Sequence, residues 1–361
     1  MKRTHPMTIG MTARSTSKLV PGLIAAATVL GTSFLVTRAM TRKAEAENPP
    51  QGQFVTAGGV RLHYTVHGDA AHPPLVLLHG NGASATEMEI SGLVDLAARH
   101  FRVYAFDRPG YGHSERPTHG HSYTPEAQAR LFLEALRTLG VERPIVLGHS
   151  WGSMVAFAMG LAEPEALRAL VLVSGYYTPS LRLDSPLMGL PALPVLGPLL
   201  RHTISPLLSR AIWPLMTRRI FAPRPVTENF KKRYPTWMSL RPGTLQASAA
   251  ESGMMIWEGI KQRRHESKLS VPTVIVAGEA DLLVITRWQS QRLADRLPQS
   301  RLHVVPGEGH MVHHTATPAV MEAIAEAWHI SKPLVTTSSS LAEAALAPVQ
   351  ELHGGRAQRA A

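Results

Sequence analysis

From residue 51 onward, short and almost wholly apolar runs alternate with stretches of helical periodicity, and that alternation restricts the chain to few architectures. Runs at 60–65, 75–78, 103–106, 145–147, 169–173, 273–277 and 302–305 have the length and composition of strands. The central ones lack the polar alternation of a strand with one wet face, so a sheet buried on both sides, hence mostly parallel, is expected. Helices are predicted between them at 85–99, 125–139, 151–162, 286–297 and 318–328. In the second of these, Ala129, Leu133 and Leu136 recur every three or four residues. The pattern is that of an α/β fold with helices on both faces of the sheet. It lapses only between 177 and about 243, which reads as an insertion, and no internal repeat is present.

The 361 residues include no cysteine, which excludes disulfides, thiolate metal sites and a cysteine nucleophile. The net charge of +11 by itself suits a nucleic-acid partner, but its distribution does not. Residues 1–47 carry +5 and residues 178–242 carry +8, whereas 48–177 and 243–330 are slightly acidic at −2 and −1. With no zinc-finger spacing, Walker loop or dinucleotide fingerprint, no nucleic-acid partner is expected.

Residues 1–47 form a basic arm containing nineteen uncharged residues, 19–37, between Lys18 and Arg38. As a helix this stretch reaches about 28 Å, close to the thickness of a bilayer's hydrocarbon core. It is either a retained membrane anchor or the apolar region of a signal peptide whose cleavage would leave an exported protein. The run exceeds the roughly 7 to 15 residues usual for a signal sequence. The nearest small-x-small site, Ala44-Glu45-Ala46, lies beyond Arg38, Arg42 and Lys43. A single retained anchor is therefore expected. Lys2, Arg3, Arg14 and Lys18 nearly balance the basic residues that follow, so charge does not orient the span, and Met7 and Met11 are alternative starts. Residues 331–361 are rich in Ala and Ser and are expected to be a disordered tail.

The strand at 145–147 runs into Gly148-His149-Ser150-Trp151-Gly152, and an apolar helix follows at once. A serine on so sharp a turn adopts a strained backbone, and small residues two before and two after let a neighbouring chain pass close by. The turn thrusts the hydroxyl out of the sheet. It also leaves the Trp151 N–H at a helix start, free to stabilise a developing oxyanion.

With these residues the chain from about 53 to 328 resembles the α/β-hydrolase superfamily. Three motifs stand in the family's order at strand ends: His79-Gly80-Asn81-Gly82, Asp107-Arg108-Pro109-Gly110-Tyr111-Gly112, and the Gly-His-Ser-Trp-Gly turn. The resemblance implies a mostly parallel eight-stranded sheet (residues 48–177 and 243–330) with an inserted cap at 178–242. It also implies a catalytic triad of Ser150, Asp281 and His310. Asp281 follows the strand at 273–277, and His310 follows the one at 302–305 in Gly307-Glu308-Gly309-His310. Glu279 is the rival acid. The resemblance further places the oxyanion donors at the backbone N–H groups of Asn81 and Trp151, leaving the Asn81 side chain available to substrate. His313 and His314 read as solvent-facing or loop-stabilising, His79 and His149 as structural, and Asp107 with Arg108 as an ion pair under the site.

The implied chemistry needs no metal or organic cofactor. Ester hydrolysis is the default, with carbon–carbon bond hydrolysis, iminopeptidase-like amide cleavage and perhydrolysis as alternatives. Relatives with Asp at residue 150 open epoxides or displace halide, which Ser150 argues against. A non-catalytic member that binds a small ligand is a reading of another class, disfavoured by a complete triad. The cap is rich in proline, so short broken helices are expected there. It also carries Leu187, Met188, Leu190, Leu193, Val195, Leu196, Leu199 and Leu200, which suit a lipophilic substrate, while its basic residues suit an anionic membrane surface.

Overall fold

The computed structural model describes residues 16–117, 123–180 and 185–331. Of the tail expected to be disordered over 331–361, only Ser331 is described, and it is held by Arg168 and the Trp328 carbonyl, each at 3.0 Å; the rest lies outside the described residues, as do Lys2, Arg3, Arg14 and the alternative starts. Helix α1 spans Thr16–Glu47 and leads into the strands β1 (Gln53–Ala57), β2 (Val60–His67), β3 (Pro74–Leu78), β4 (Arg102–Phe106), β5 (Ile145–His149), β6 (Ala169–Val173), β7 (Thr273–Gly278) and β8 (Arg301–Val305). They form one eight-stranded sheet in the order β1-β2-β4-β3-β5-β6-β7-β8. The β1–β2 and β2–β4 pairs are antiparallel and all the others parallel. The sequence pattern missed β1 because it is an edge strand with three of its five residues exposed. By contrast β5, β6 and β7 are buried throughout, which is why they read as continuous apolar runs.

The core helices are α2 (Ala85–Ile90), α3 (Leu93–Ala97), α4 (Pro125–Thr138) and α5 (Trp151–Ala162). The single helix predicted at 85–99 is two, because Gly92 at φ 83° breaks it. Between β6 and β7 lie α6 (Ser185–Gly189), α7 (Leu196–His202), α8 (Ile204–Phe221), α9 (Glu228–Arg233), α10 (Thr236–Ser239) and α11 (Pro242–His265). The chain closes with α12 (Ser290–Arg296), α13 (Val312–Thr315) and α14 (Thr317–Ile330). The predicted helix at 286–297 begins with a separate 3-10 turn, Thr286–Trp288. Helices α4, α5 and α12 cover one face of the sheet with Phe132, Phe157 and Leu293. Helices α3 and α14 cover the other with Leu93, Val320 and Ile324.

The proline-rich segment departs from expectation in one respect: α8 runs for 18 residues through Pro214. Pro214 and Arg210 are exposed, so water can serve the carbonyl that the proline leaves without its helical partner. Helix α1 touches α7, α8 and α10. Its contacts include Thr37 Oγ1 donating to the Thr203 carbonyl at 3.5 Å and an ion pair of Glu45 with Arg241 at 3.1 Å.

Candidate active site

At the end of β5, Ser150 adopts φ 54° and ψ −117°, a left-handed region costly for any residue with a Cβ. Close packing on both sides holds it there. A Cβ on Gly148 would fall 2.2 Å from the Gly152 carbonyl oxygen, and one on Gly152 would fall 2.2 Å from that of Leu78 in β3. The Ser150 N–H donates to the Val173 carbonyl at 2.8 Å and hooks the turn to β6. Ser153 Oγ donates to the Gly148 carbonyl at 2.5 Å and closes it from below.

His310 and Asp281 meet from the ends of β8 and β7. His310 Nδ1 lies 2.8 Å from Asp281 Oδ2, and Asp281 Oδ1 accepts from the Leu283 and Val284 N–H groups, each at 2.8 Å. A carboxylate accepts a hydrogen bond from Nδ1–H and so keeps the ring proton on Nδ1, which leaves Nε2 as the basic atom. Glu279 is exposed and accepts from the Gly307 N–H at 3.1 Å, away from the imidazole. The two loops touch so closely that a Cβ on Gly278 would fall 2.3 Å from the Gly309 carbonyl oxygen. His149, next to Ser150, lies with its ring centroid 4.9 Å from that of His310 and its Nε2 3.1 Å from the His310 carbonyl oxygen. The end of α8 presses on the same loop, where Arg224 pairs with Glu308 at 2.9 Å.

The loop after β3 passes directly over the serine, with a Cβ on Gly80 falling 3.2 Å from Ser150 Cβ. Arg108, fully buried, donates from Nε to the His79 carbonyl at 2.7 Å and from Nη2 to the Gly80 carbonyl at 2.9 Å. Its own backbone N–H donates to His79 Nε2 at 2.9 Å, so the proton of that ring sits on Nδ1, 2.8 Å from the Gly80 carbonyl oxygen. Burial, with Arg108 nearby, lowers the pKa of His79 to about 3 and keeps the ring neutral. The predicted pairing of Arg108 with Asp107 is not formed. Arg108 forks onto Glu251 of α11, while Asp107 lies 2.7 Å from His63 Nδ1 and accepts from the Ala85 and His113 N–H groups. Nor is the Asn81 side chain turned to a substrate: its Nδ2 donates to the Ser248 carbonyl at 3.0 Å, and its Oδ1 accepts from Ser248 Oγ. Among the described residues, no backbone acceptor is paired with the N–H of Asn81.

Beneath the site, Glu87 Oε1 lies 2.6 Å from His313 Nε2 and 2.5 Å from His314 Nε2. All three residues are buried, so neither histidine faces solvent. Glu87, His149 and His313 each bring a ligand-capable atom within 4.8 Å of the others. Two imidazoles already share Glu87 Oε1, and the group acts as a brace between α2 and α13. An apolar cleft of about 350 Å³ lies between the segment 189–194 and α11, lined by Leu190, Leu193, Ala249, Gly253 and Met254. Sequence reading missed Glu251, Ser248 and Glu87, because each finds its partners more than a hundred residues away.

The sheet order, the turn at Ser150 and the loops that converge on it define an α/β-hydrolase architecture. A family model described as alpha/beta hydrolase fold matches residues 73–317, and the chain belongs to that family. It is 25% identical over 276 residues to an uncharacterized protein of Mycobacterium tuberculosis, covering 74% of this chain and 77% of that protein. A 31% identity to bifunctional epoxide hydrolase 2 of Sus scrofa extends over 144 residues, 40% of this chain and 25% of the relative's length. Among solved structures, an enol-lactonase from Burkholderia xenovorans has a TM-score of 0.62 at 19% identity, covering 77% of this chain and all of that one. A membrane phospholipase A, described as a bacterial virulence factor, has a TM-score of 0.59 at 20% identity. That match covers 89% of this chain and 99% of the phospholipase.

Proposed function

We propose that the protein is a serine hydrolase that cleaves a carboxylic ester of an apolar substrate at a membrane surface. The observation that carries this reading is the buried His310–Asp281 pair beside the strained turn that exposes Ser150. Ser150 Oγ attacks the carbonyl carbon as its proton passes to His310 Nε2. The N–H groups of Asn81 and Trp151 hold the oxyanion of the tetrahedral intermediate, and Asp281 supports the imidazolium. Collapse expels the alcohol, which takes the proton from His310. Water, activated by the same histidine, then releases the acid. No step uses a metal or an organic cofactor. Epoxide opening through an alkyl-ester intermediate needs a carboxylate nucleophile, and residue 150 is a serine.

The apolar cleft between the cap and α11 begins at Ala249, one residue from the Ser248 that holds Asn81, which supports a lipophilic substrate. Within Val20–Glu47 of α1, an 18-residue stretch has a mean hydropathy of 1.7 and is 11% buried, and the helix is long and apolar enough to cross a membrane. Ala44 is buried and Glu45 is paired with Arg241, so the small-x-small site lies in a packed helix, which favours a retained anchor over a cleaved leader. The likeness to a membrane phospholipase A over 89% of the chain agrees with a lipid ester presented by the bilayer.

A fluorophosphonate probe and a series of p-nitrophenyl esters of increasing chain length test the reading. The protein is expected to be labelled, Ser150→Ala is not, and octanoate is expected to be preferred to acetate. A wild-type protein that stays unlabelled overturns the serine-hydrolase assignment. A preference for acetate overturns the apolar substrate.

A further inference from the structure

We propose that Arg108, which touches no substrate, is a positioning residue for the oxyanion hole, fixing the Gly80–Asn81 peptide whose N–H faces the reacting carbonyl. The inference rests on the serine-hydrolase reading above. In a trans peptide the carbonyl and the following N–H point in opposite directions, so whatever fixes the Gly80 oxygen aims the Asn81 N–H. Three donors converge on that oxygen: Arg108 Nη2 at 2.9 Å, His79 Nδ1 at 2.8 Å and the Ala83 N–H at 3.4 Å. Arg108 supplies the first directly and the second indirectly, because its backbone N–H occupies His79 Nε2 and thereby places the ring proton on Nδ1.

A cation at a carbonyl also polarises the amide. In a buried site hydrogen bonds strengthen one another along such a chain, making the Asn81 N–H a better donor. Arg108 is itself immobilised: Glu251 binds it through both carboxylate oxygens and Gln128 Oε1 accepts from it at 3.0 Å, all fully buried. From the other side, Ser248 holds the Asn81 side chain, so α11 supplies both the counter-ion and the second tether. Only the backbone N–H of Asn81 then remains to receive a developing charge.

Arg108→Lys keeps the charge and loses the fork, and Ser248→Ala removes the hydroxyl half of the second tether, leaving the Asn81 Nδ2 bond to the residue 248 carbonyl, without disturbing a buried charge. Each is compared with the wild-type full chain for kcat and KM on a soluble p-nitrophenyl ester and for affinity towards a trifluoromethyl ketone, which forms a stable tetrahedral oxyanion on serine. For folded Arg108→Lys, kcat is expected to fall about 10- to 100-fold, short of the 10²- to 10³-fold loss on deleting a donor. Its KM stays within about twofold, and ketone affinity falls in step with kcat/KM, a split that a merely structural role would not produce. Ser248→Ala shows the same split with a smaller loss. If Arg108→Lys does not fold, Arg108→Gln combined with Glu251→Gln removes both buried charges together, and the same readouts decide.

Folded variants that keep wild-type kcat and ketone affinity, or that change KM alone, overturn the proposal. Fluorophosphonate labelling separates the two levels. A labelled wild-type protein with unaffected variants sinks only the positioning role, whereas an unlabelled wild-type protein sinks the hydrolase reading and this proposal with it.

Discussion

Ser150 is held at φ 54° by glycines that leave no room for a Cβ, so the strain is maintained by β3 and β6 rather than by the turn itself. The acid is equally specific. Glu279 and Asp281 are two residues apart, yet only Asp281 is buried and bonded to the imidazole. Asp281→Asn removes the carboxylate that fixes the His310 tautomer, and kcat for ester hydrolysis is expected to drop about 10⁴-fold with KM little changed. Glu279→Gln is expected to stay within about twofold of wild type. Equal losses in the two variants, measured by steady-state hydrolysis of the same ester, would show that the acid had been placed wrongly. The triad candidates were legible because each follows an apolar strand and stands beside glycine, a purely local pattern. Glu251 and Ser248 were not, since nothing around them marks a helix that lies on a loop 143 and 167 residues away.

The buried strands announce themselves by composition, whereas β1, half exposed at the sheet edge, carries no such mark. The break between α2 and α3 needed the left-handed conformation of Gly92, which a periodicity count ignores. Of the two readings open for His313 and His314, solvent-facing or loop-stabilising, the first fails for a related reason: their burial depends on α2 and its Glu87. That cluster has consequences for stability. Burial lowers the pKa of His79, His149 and His313, with Arg108 opposing protonation of the first and the neighbouring imidazoles that of the other two. Asp107 and Glu87 offset this only in part. Below the ordinary histidine value of 6.5 the unfolded chain takes up protons that the folded chain refuses. Stability is therefore whole above pH 6.5 and lost as the pH falls, for His79 down to about 3. Glu87, held well below its ordinary value by His313 and His314 against the opposing effect of burial, adds a loss at lower pH. Urea unfolding between pH 7.5 and 5 is expected to show a free energy falling with pH, His79 alone contributing about 1.4 kcal/mol per unit once below its ordinary value. A flat profile would contradict the neutral, buried state of these rings.

The charge of +11 is concentrated in the arm and in the segment between β6 and β7, and those two parts touch: α1 packs on α7 and α8. Helix α8 exposes Ile204, Leu208, Ile212 and Leu215 at helical spacing along one face, with Arg210, Arg218 and Arg219 exposed on the same helix. An apolar stripe with neighbouring arginines suits the interface of an anionic bilayer, where buried leucines supply affinity and each arginine adds about 1 kcal/mol. Anchoring by α1 would keep that face at the membrane and bring the cleft beside α11 within reach of lipid. In the full-length protein, Leu208→Ser with Leu215→Ser is therefore expected to lower hydrolysis of a vesicle-embedded ester by about a hundredfold, from about 3 kcal/mol of apolar burial lost, while leaving a soluble p-nitrophenyl ester unaffected. Arg218→Gln with Arg219→Gln is expected to erase most of the preference for anionic over neutral vesicles, roughly fivefold per residue at that energy. If both variants match wild type on anionic vesicles, α8 does not meet the bilayer and the basic segment is a solvated face. A loss on soluble and embedded esters alike would place the leucines in the fold of the cap.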